Sequence, residues 1–326
     1  MNSKDAVLVT GAAGFVGSHL ADRLLAEGYQ VIGVDNLCTG RLCNLCHLED
    51  HPRFRFLERD VTEPLSDEDL GGARLAWVMH FASPASPPKY LALPTETLRV
   101  NSEGTYHLLM LAKRLKASFF LASTSECYGD PSEHPQRETY NGNVSSVGPR
   151  AVYDEAKRFA EAMTSSFHRD QHVQTRIVRI FNTYGPRMDI KDGRVITNFI
   201  SQCLGGRPMT IYGTGYQTRS FQYIDDLVEG IIRLMQQDHP GPVNLGSPIE
   251  TTMLELARTV GELAGKETKL VFRPLPEDDP ERRRPDITLA RTILGWEPKV
   301  SLRDGLDKTI QYVREAGAAA RIRHAQ

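Results

Sequence analysis

The chain has 326 residues, with 39 lysine or arginine against 41 aspartate or glutamate and a formal net charge of −2. This balance argues against nucleic acid or an anionic membrane as the main partner. No apolar run reaches the roughly 18 residues of a membrane span. The polar start Met1–Asp5 lacks the basic-then-apolar pattern of a secretory signal, so we expect a cytoplasmic protein.

Cysteine is sparse in this sequence. The chain has five cysteines, and three of them fall between residues 38 and 46. Cys43-x-x-Cys46 has the spacing of half a zinc site, but no second pair follows. We therefore expect free thiols and no bound metal, with Cys127 and Cys203 buried as packing residues.

Strands and helices alternate in the first half of the chain. The apolar run Ala6–Thr10 is typical of a strand buried on both faces. Further strands are predicted at Gln30–Asp35, Arg53–Glu58, Leu75–Ala82, Ser118–Ser123 and Thr175–Phe181, and helices at Gly14–Glu27, 94–115 and 153–170. This alternation predicts an α/β fold of Rossmann type, a doubly wound parallel sheet covered by helices.

The pattern becomes mixed after about residue 182. Helices are predicted at 194–204, 224–237, 252–264, 287–294 and 302–316, and short strands at 209–212, 242–245 and 269–273. We expect a smaller mixed α/β region over the C-terminal edge of the sheet, built from about 182–212 and 246–315. Residues 1–181 and about 213–245 would form the sheet domain, and 316–326 a flexible tail.

A glycine-rich loop joins the first strand to the first helix. Gly11, Gly14 and Gly17 have the spacing G-x-x-G-x-x-G rather than the more general G-x-G-x-x-G. Glycines here allow a tight turn and let phosphate oxygens approach backbone amides at the positive end of the helix. Taken alone, the pattern also fits a turn that binds nothing.

A carboxylate at the end of the second strand supports a dinucleotide. Asp35 follows the loop at roughly the 20-residue spacing from which an acidic residue can bind the adenosine ribose hydroxyls. Asp35 would repel a 2′-phosphate, which favours NAD over NADP. The nearby Arg41 is a contrary signal, because an arginine there could bind a 2′-phosphate. Asp60-Val61 ends the third strand, where an adenine edge could bind or where Asp60 could simply cap a turn.

A phenol and an ammonium group open the helix at 153–170. Tyr153 and Lys157 are spaced i, i+4 and therefore share one helix face. A lysine cation and the nicotinamide charge would lower the pKa of the phenol, so that Tyr153 could act as a general base. Thr124, at the end of a strand, could share the proton of a substrate hydroxyl.

With these residues in place, nearly the whole chain resembles the extended short-chain dehydrogenase/reductases. Within that group it is most similar to the UDP-glucuronate decarboxylases, also called UDP-xylose synthases. The segments that carry the resemblance are HFASPASPPKY (80–90), STSECYGDPSEHPQ (123–136), YDEAK (153–157), RIFNTYGPRM (179–188), DGRVITNFI (192–200), TRSFQYIDDLVEG (218–230) and RRRPDI (282–287).

The resemblance implies NAD as cofactor, a nucleotide-sugar substrate and a role for each matching residue. Thr124, Tyr153 and Lys157 match the oxidoreductase triad, and Glu126 matches an active-site glutamate with Arg219 opposite it. The implied cofactor contacts are Gly11, Gly14, Phe15, Val16, Gly17, Asp35, Asn36, Asp60, Val61, Ala82, Asn101, Tyr153 and Lys157. The implied substrate contacts are Pro84, Lys89, Tyr90, Glu126, Asn182, Arg194, Val195, Tyr212, Arg219 and Arg283.

The expected reaction is a decarboxylation with no net redox change. Oxidation of the C4 hydroxyl makes a β-keto acid, carbon dioxide leaves, and the hydride returns to C4. Glu126 could repel the substrate carboxylate, hold the ring or hold a water molecule. Arg219 could anchor that carboxylate or help to protonate C5, and a purely structural Glu126–Arg219 ion pair is the alternative.

Other functions fit the same fold. A nucleotide-sugar 4-epimerase or 4,6-dehydratase is the first alternative, although Thr124-Ser125-Glu126 resembles the decarboxylases at this strand end. An inactive NAD-binding scaffold is the second, and the presence of the complete triad argues against it. The sequence does not distinguish a UDP from a dTDP substrate.

We also expect a homodimer. The helices at 94–115 and 153–170 carry apolar residues on more than one face: Leu108, Leu109, Leu111, Phe159, Met163 and Phe167. In the resembling enzymes the equivalent helices form a four-helix interface. The alternative is that the sheet alone buries these side chains.

Overall fold

The computed structural model describes residues 5–274 and 282–324. Its strands are β1 (Ala6–Thr10), β2 (Gln30–Asp35), β3 (Phe54–Glu58), β4 (Leu75–His80), β5 (Ser118–Thr124), β6 (Thr175–Ile180), β7 (Thr183–Tyr184), β8 (Met209–Tyr212), β9 (Thr218–Ser220), β10 (Gln222–Tyr223), β11 (Pro242–Leu245), β12 (Glu250–Thr252), β13 (Leu270–Arg273) and β14 (Arg282–Arg283). Seven of them form a parallel sheet in the order β11-β6-β5-β4-β1-β2-β3.

Helices cover both faces of this sheet. The α-helices of the described residues are α1 (Phe15–Ala26), α2 (Asp67–Leu70), α3 (Pro87–Ala92), α4 (Pro94–Arg99), α5 (Thr105–Leu115), α6 (Ala151–Gln171), α7 (Val195–Leu204), α8 (Ile224–Met235), α9 (Met253–Ala264), α10 (Thr288–Leu294) and α11 (Leu302–His324). One face packs against α1 and α8 and the other against α5 and α6. The predicted doubly wound Rossmann-type sheet is confirmed.

The first strand shows why its sequence is apolar. Val7 and Val9 point into one core, whereas Leu8 points into the other, and all three are fully buried. Burying one such side chain contributes roughly 1.5–3 kcal/mol. The order of the sheet reverses at β1, between β2 and β4. Ligands of such sheets bind at the carboxyl ends of the strands beside that reversal.

The helix predicted at 94–115 is interrupted. It consists of α4, a π-helical turn at Val100–Gly104, and α5. Two buried side chains bind backbone carbonyl groups here: His80 contacts the Val100 oxygen at 3.2 Å, and the Asn101 amide donates to the Thr97 oxygen at 2.8 Å. Because side chains engage these carbonyl groups, the helical ladder widens locally.

The last helix is longer than predicted. The expected helix 302–316 continues to His324, because the segment after residue 316 is rich in alanine, the strongest helix former. The predicted tail is thus helical through His324, while its flexibility stays a prediction. Across the described ranges, no helix combines the length and the apolar character that a bilayer crossing requires.

Most of the apolar residues that were expected at a dimer interface are buried within the chain itself. Leu108, Leu109, Leu111 and Phe167 are buried in the core on the α5–α6 side of the sheet, so they do not support an interface. Phe159, in contrast, is 51% exposed.

Smaller sheets build the region over the carboxyl ends. The strands β12, β9 and β14 form one sheet, β13 pairs with β8, and β10 pairs with β7. The predicted strands 209–212, 242–245 and 269–273 are confirmed, and 242–245 joins the central sheet as β11. Pairing of β14 with β9 places Arg283 beside Arg219.

Candidate active site

A cavity of about 570 Å³ opens at the carboxyl ends of the central strands. The Gly11 loop lines one part, the end of β5 and the start of α6 line the middle, and α7 with β8 and β14 lines the rest. One cavity therefore joins the predicted cofactor loop, the predicted catalytic residues and most of the predicted substrate residues.

At positions 11 and 17 of the glycine loop, there is no room for a Cβ atom, so only glycine fits. A Cβ atom at Gly11 would lie 2.7 Å from the Phe81 backbone, and one at Gly17 would lie 2.1 Å from the Gly11 oxygen. Gly14 is the N-cap of α1 and makes no side-chain cap. The first amides of this helix, at Phe15, Val16 and Gly17, are thus available to an anion at the positive end of the helix dipole. The loop fits a dinucleotide pyrophosphate.

The predicted adenosine contacts lie together at the ends of β2 and β3. Asp35 accepts hydrogen bonds from the amides of Ala13 and Leu37, and burial raises its pKa. The Asn36 amide donates to Asp60 at 2.9 Å. Asp60 also accepts from the backbone and hydroxyl of Thr62, so it does cap a turn. This turn does not exclude an adenine contact.

Tyr153 and Lys157 are buried at the start of α6. The Lys157 ammonium donates to the Ala122 oxygen at 2.9 Å and lies 6.0 Å from the centre of the Tyr153 ring. Burial lowers the pKa of Lys157 to about 8. Burial also raises the pKa of Tyr153 above its ordinary value, and the neighbouring Thr124 hydroxyl opposes that rise. The protein alone therefore does not make Tyr153 a base, and the expected lowering of its pKa requires a further cation.

Tyr90 covers Tyr153, the predicted base. The rings of Tyr90 and Tyr153 are stacked, with centroids 5.0 Å apart and planes 5° from parallel. Burial raises the pKa of Tyr90 to about 12. Within the described ranges the Tyr90 hydroxyl has no hydrogen-bond partner, although it is buried. A buried unpaired hydroxyl is costly, so this group is suited to bind a polar ligand atom.

Glu126 is held between two guanidinium groups. Arg150 donates to one carboxylate oxygen and Arg283 to the other. Burial would raise the pKa of Glu126, but Arg283 and Arg150 outweigh it and hold that pKa below its usual range. Glu126, Arg150 and Arg283 are called the Glu126 cluster below.

The arginine paired with Glu126 is not the one expected. Arg219 lines the cavity, and its guanidinium donates a hydrogen bond to the Thr218 oxygen at 2.9 Å. The resemblance implied Arg283 only as a substrate contact, yet the structure pairs it, on β14, with Glu126. Pairing in space depends on β14 joining β9, which sequence spacing does not reveal.

The other predicted substrate residues divide into two groups. Lys89, Asn182, Arg194, Val195 and Tyr212 line the cavity. Arg194 is paired with Asp192, and Lys89 lies 3.8 Å from Asp189. The described cavity lining does not include Pro84, nor the predicted cofactor residues Asp35, Asn36, Asp60, Val61, Ala82 and Asn101. Asn101 still contacts the lining residue Ser83 through its amide, at 2.9 Å.

Sequence reasoning missed two residues of this site. Arg150 precedes Tyr153 by three positions, and a cation so close to the predicted base was a usable signal. Asn44 donates to the Ala13 oxygen at 2.9 Å and thereby supports the glycine loop. Nothing in its local sequence distinguished it from an ordinary loop residue.

The described residues form no candidate metal site. They contain no group of three or more histidine, cysteine, aspartate or glutamate side chains arranged to hold a metal ion. Cys38, Cys43 and Cys46 are free and exposed, whereas Cys127 and Cys203 are free and buried as expected.

Comparison with known proteins places the chain among nucleotide-sugar enzymes. The family model described as GDP-mannose 4,6 dehydratase matches residues 8–309. UDP-glucuronic acid decarboxylase 4 of Arabidopsis thaliana is 54% identical over 309 residues, which cover 95% of this chain and 68% of that protein. UDP-glucuronic acid decarboxylase 1 of Danio rerio is 51% identical over 306 residues, covering 94% of this chain and 72% of the relative.

Solved structures agree with this placement. UDP-glucuronic acid 4-epimerase from Bacillus cereus, in complex with UDP-glucuronic acid and NAD, superposes with a TM-score of 0.85 at 29% identity, covering 95% of this chain and 99% of that one. UDP-glucose 4-epimerase from Thermotoga maritima, with UDP-glucose, gives 0.86 at 31% identity over 95% and 99%. The expected family is confirmed: the chain belongs to the GDP-mannose 4,6 dehydratase family of extended short-chain dehydrogenase/reductases, within the group of the UDP-glucuronic acid decarboxylases.

Proposed function

We propose that this protein removes carbon dioxide from UDP-glucuronate to make UDP-xylose, with NAD as its cofactor. The observation that carries the proposal is the Glu126 cluster, which lies in one cavity with Tyr153 and Lys157. The identity of 54% with a UDP-glucuronic acid decarboxylase supports the choice of reaction.

The first half of the reaction takes place at Tyr153. The Gly11 loop would hold NAD, which when bound would supply a reversible hydride acceptor for the C4 position of the sugar. Tyr153 takes the C4 hydroxyl proton, and Thr124 orients that hydroxyl. With its pKa at about 8, Lys157 is roughly nine-tenths protonated at pH 7. Its charge, together with that of the oxidised nicotinamide, favours the phenolate of Tyr153.

The second half takes place at the Glu126 cluster. The 4-keto sugar is a β-keto acid, so its C5–C6 bond breaks with the electron pair held as an enolate. Glu126 stays ionised between Arg150 and Arg283, and a fixed negative charge beside the substrate carboxylate favours its departure as neutral carbon dioxide. A proton then replaces carbon dioxide at C5, and Tyr153 protonates the C4 oxygen as the ketone is reduced.

Product analysis tests this proposal. The purified protein with NAD is incubated separately with UDP-glucuronate and dTDP-glucuronate, and the products are identified by mass spectrometry and release of labelled carbon dioxide. We expect UDP-xylose and carbon dioxide. A product of unchanged mass would indicate an epimerase, such as the Bacillus cereus relative, and no product from either substrate would contradict the proposal.

We also propose a homodimer that pairs the outer surfaces of α4, α5 and α6. Leu98, Tyr106, Met110 and Phe159 on these helices are 40–51% exposed. Contacts between α5 and α6, and between α4 and α6, place these elements side by side. Large exposed apolar side chains on neighbouring helices are characteristic of a protein interface.

We also infer how the chain divides into domains. We infer an NAD-binding domain of residues 1–181 and about 213–245, supported by the membership of β11 in the central sheet. The nucleotide-sugar region comprises about 182–212 and 246–315.

Five free cysteines agree with a reducing compartment, and we infer a cytoplasmic enzyme.

A further inference from the structure

A second carboxylate lies behind the Glu126 cluster. Asp154 follows Tyr153 in α6 and is only 5% exposed. Its Oδ2 atom is 3.9 Å from the Arg150 Nε atom, which is too long for a hydrogen bond. Its Oδ1 atom is buried without a hydrogen-bond partner in the described part of the chain. The decarboxylation mechanism above leaves this group without a role.

The two carboxylates of this region are not equivalent. Glu126 receives hydrogen bonds from both guanidinium groups, whereas Asp154 has only the long contact with Arg150. Burial raises the pKa of Asp154 to about 7, and the charge of Glu126 adds to the rise. Arg150 and Arg283 oppose it, Glu155 adds a smaller repulsion, and the Tyr90 phenol also faces this group. Asp154 is therefore the carboxylate whose charge changes near neutral pH.

Before substrate binds, the charges of the Glu126 cluster and Asp154 balance one another: with Asp154 ionised, two carboxylates oppose two guanidinium groups. The uronate adds a third carboxylate beside Glu126, in a place shielded from water where like charges repel strongly. When Asp154 is protonated, Glu126 and the uronate are the two carboxylates that face Arg150 and Arg283, so the charges balance again. Arg150 then interacts with these two carboxylates and no longer with a charged Asp154.

We propose that Asp154 is a positioning residue that binds a proton when the carboxylate of UDP-glucuronate enters the cavity, and that it acts through Arg150. The inference rests on the proposed function, because the uronate supplies the added charge. UDP-xylose carries the same diphosphate but no carboxylate. The proton is therefore released to solvent when product replaces substrate.

Calorimetry of binding measures this proton directly. The enzyme saturated with NADH, which cannot oxidise C4, is titrated with UDP-glucuronate at pH 7.5 in buffers of different ionisation enthalpy. A carboxyl group whose pKa is about 7 is roughly one-quarter protonated at that pH, so uptake of up to about three-quarters of a proton is expected. UDP-xylose should give uptake near zero.

Two variants locate the proton. Asp154→Asn should abolish the uptake while changing the Kd for UDP-xylose less than about threefold. Asp170→Asn is the matched control, because it makes the same change at an exposed position of the same helix, and it should retain the wild-type uptake. Unchanged uptake in Asp154→Asn, or equal uptake with UDP-xylose, overturns the proposal.

A second measurement needs no variant. For the wild-type enzyme with NADH, the Kd for UDP-glucuronate divided by that for UDP-xylose should rise with pH above 7, by up to about tenfold per pH unit. A ratio independent of pH between 6 and 9 overturns the inference, while decarboxylation itself continues. Failure to convert UDP-glucuronate into pentose would instead contradict the proposed function.

Discussion

Replacing Arg283 by alanine should impair decarboxylation far more than oxidation. Arg283 is 5% exposed and donates to Glu126, whose other guanidinium partner is Arg150. Removing one member of a buried ion pair typically costs about 3–5 kcal/mol. Two unit charges 4 Å apart at an effective dielectric constant of 20 interact by about 4 kcal/mol, which agrees with that range. Because Arg150 remains, we expect about 3–4 kcal/mol, or a 10²–10³-fold loss of pentose formation.

The assay is the initial rate of carbon dioxide release at saturating UDP-glucuronate, so that changes in binding do not contribute. Without Arg283, burial raises the pKa of Glu126, so the residual rate should increase with pH more steeply than in the wild type. The 4-keto sugar should accumulate, as seen by mass spectrometry. Arg219→Ala is the matched control, and its main effect should be on KM. A loss below tenfold for Arg283→Ala, or a larger kcat loss for Arg219→Ala, would refute the reasoning.

Three further changes test other parts of the structure. Tyr153→Phe should lower the rate by about 10²–10⁴-fold, as measured by UDP-xylose formation, and should leave NAD affinity nearly unchanged; a loss below tenfold would remove Tyr153 from its role. Phe159→Glu, at a 51% exposed position, should convert the dimer to a monomer in light scattering at micromolar concentration, and an unchanged mass would exclude this surface. Asp154→Asn should raise the unfolding midpoint at pH 8 but not at pH 4. The raised pKa of Asp154 costs stability as pH rises from about 4 to 7, by up to about 4 kcal/mol, and an equal effect at both pH values would contradict this.

Local patterns predicted most of the fold. The strand at Ala6–Thr10 and the glycine loop are each determined by residues that are close together in the sequence. Both are found where they were expected. The interruption at Val100–Gly104 was missed because it depends on His80, a residue of another strand that contacts the Val100 carbonyl. The extent of α11 was missed although the alanine-rich segment after residue 316 was a local signal.

Most of the predicted catalytic and substrate residues line one cavity, but the pairing of Glu126 was not predicted. Tyr153 and Lys157 are one helical turn apart, so their proximity follows from the sequence alone. The partner of Glu126 depends on the pairing of β14 with β9, a contact between distant parts of the chain. Arg150 was missed although its position three residues before Tyr153 was a usable local signal.

The pairing of Glu126 with Arg283 joins positions 157 residues apart. During synthesis, the strands of the central sheet and the Gly11 loop are complete once β11 has emerged. Arg283 emerges only after α9 and β13. Since domains fold from their N-terminal parts as they are made, a growing chain can form its dinucleotide site before its decarboxylation site. The nascent protein can thus complete its cofactor loop first, whereas its decarboxylation site is complete only when translation has passed residue 283.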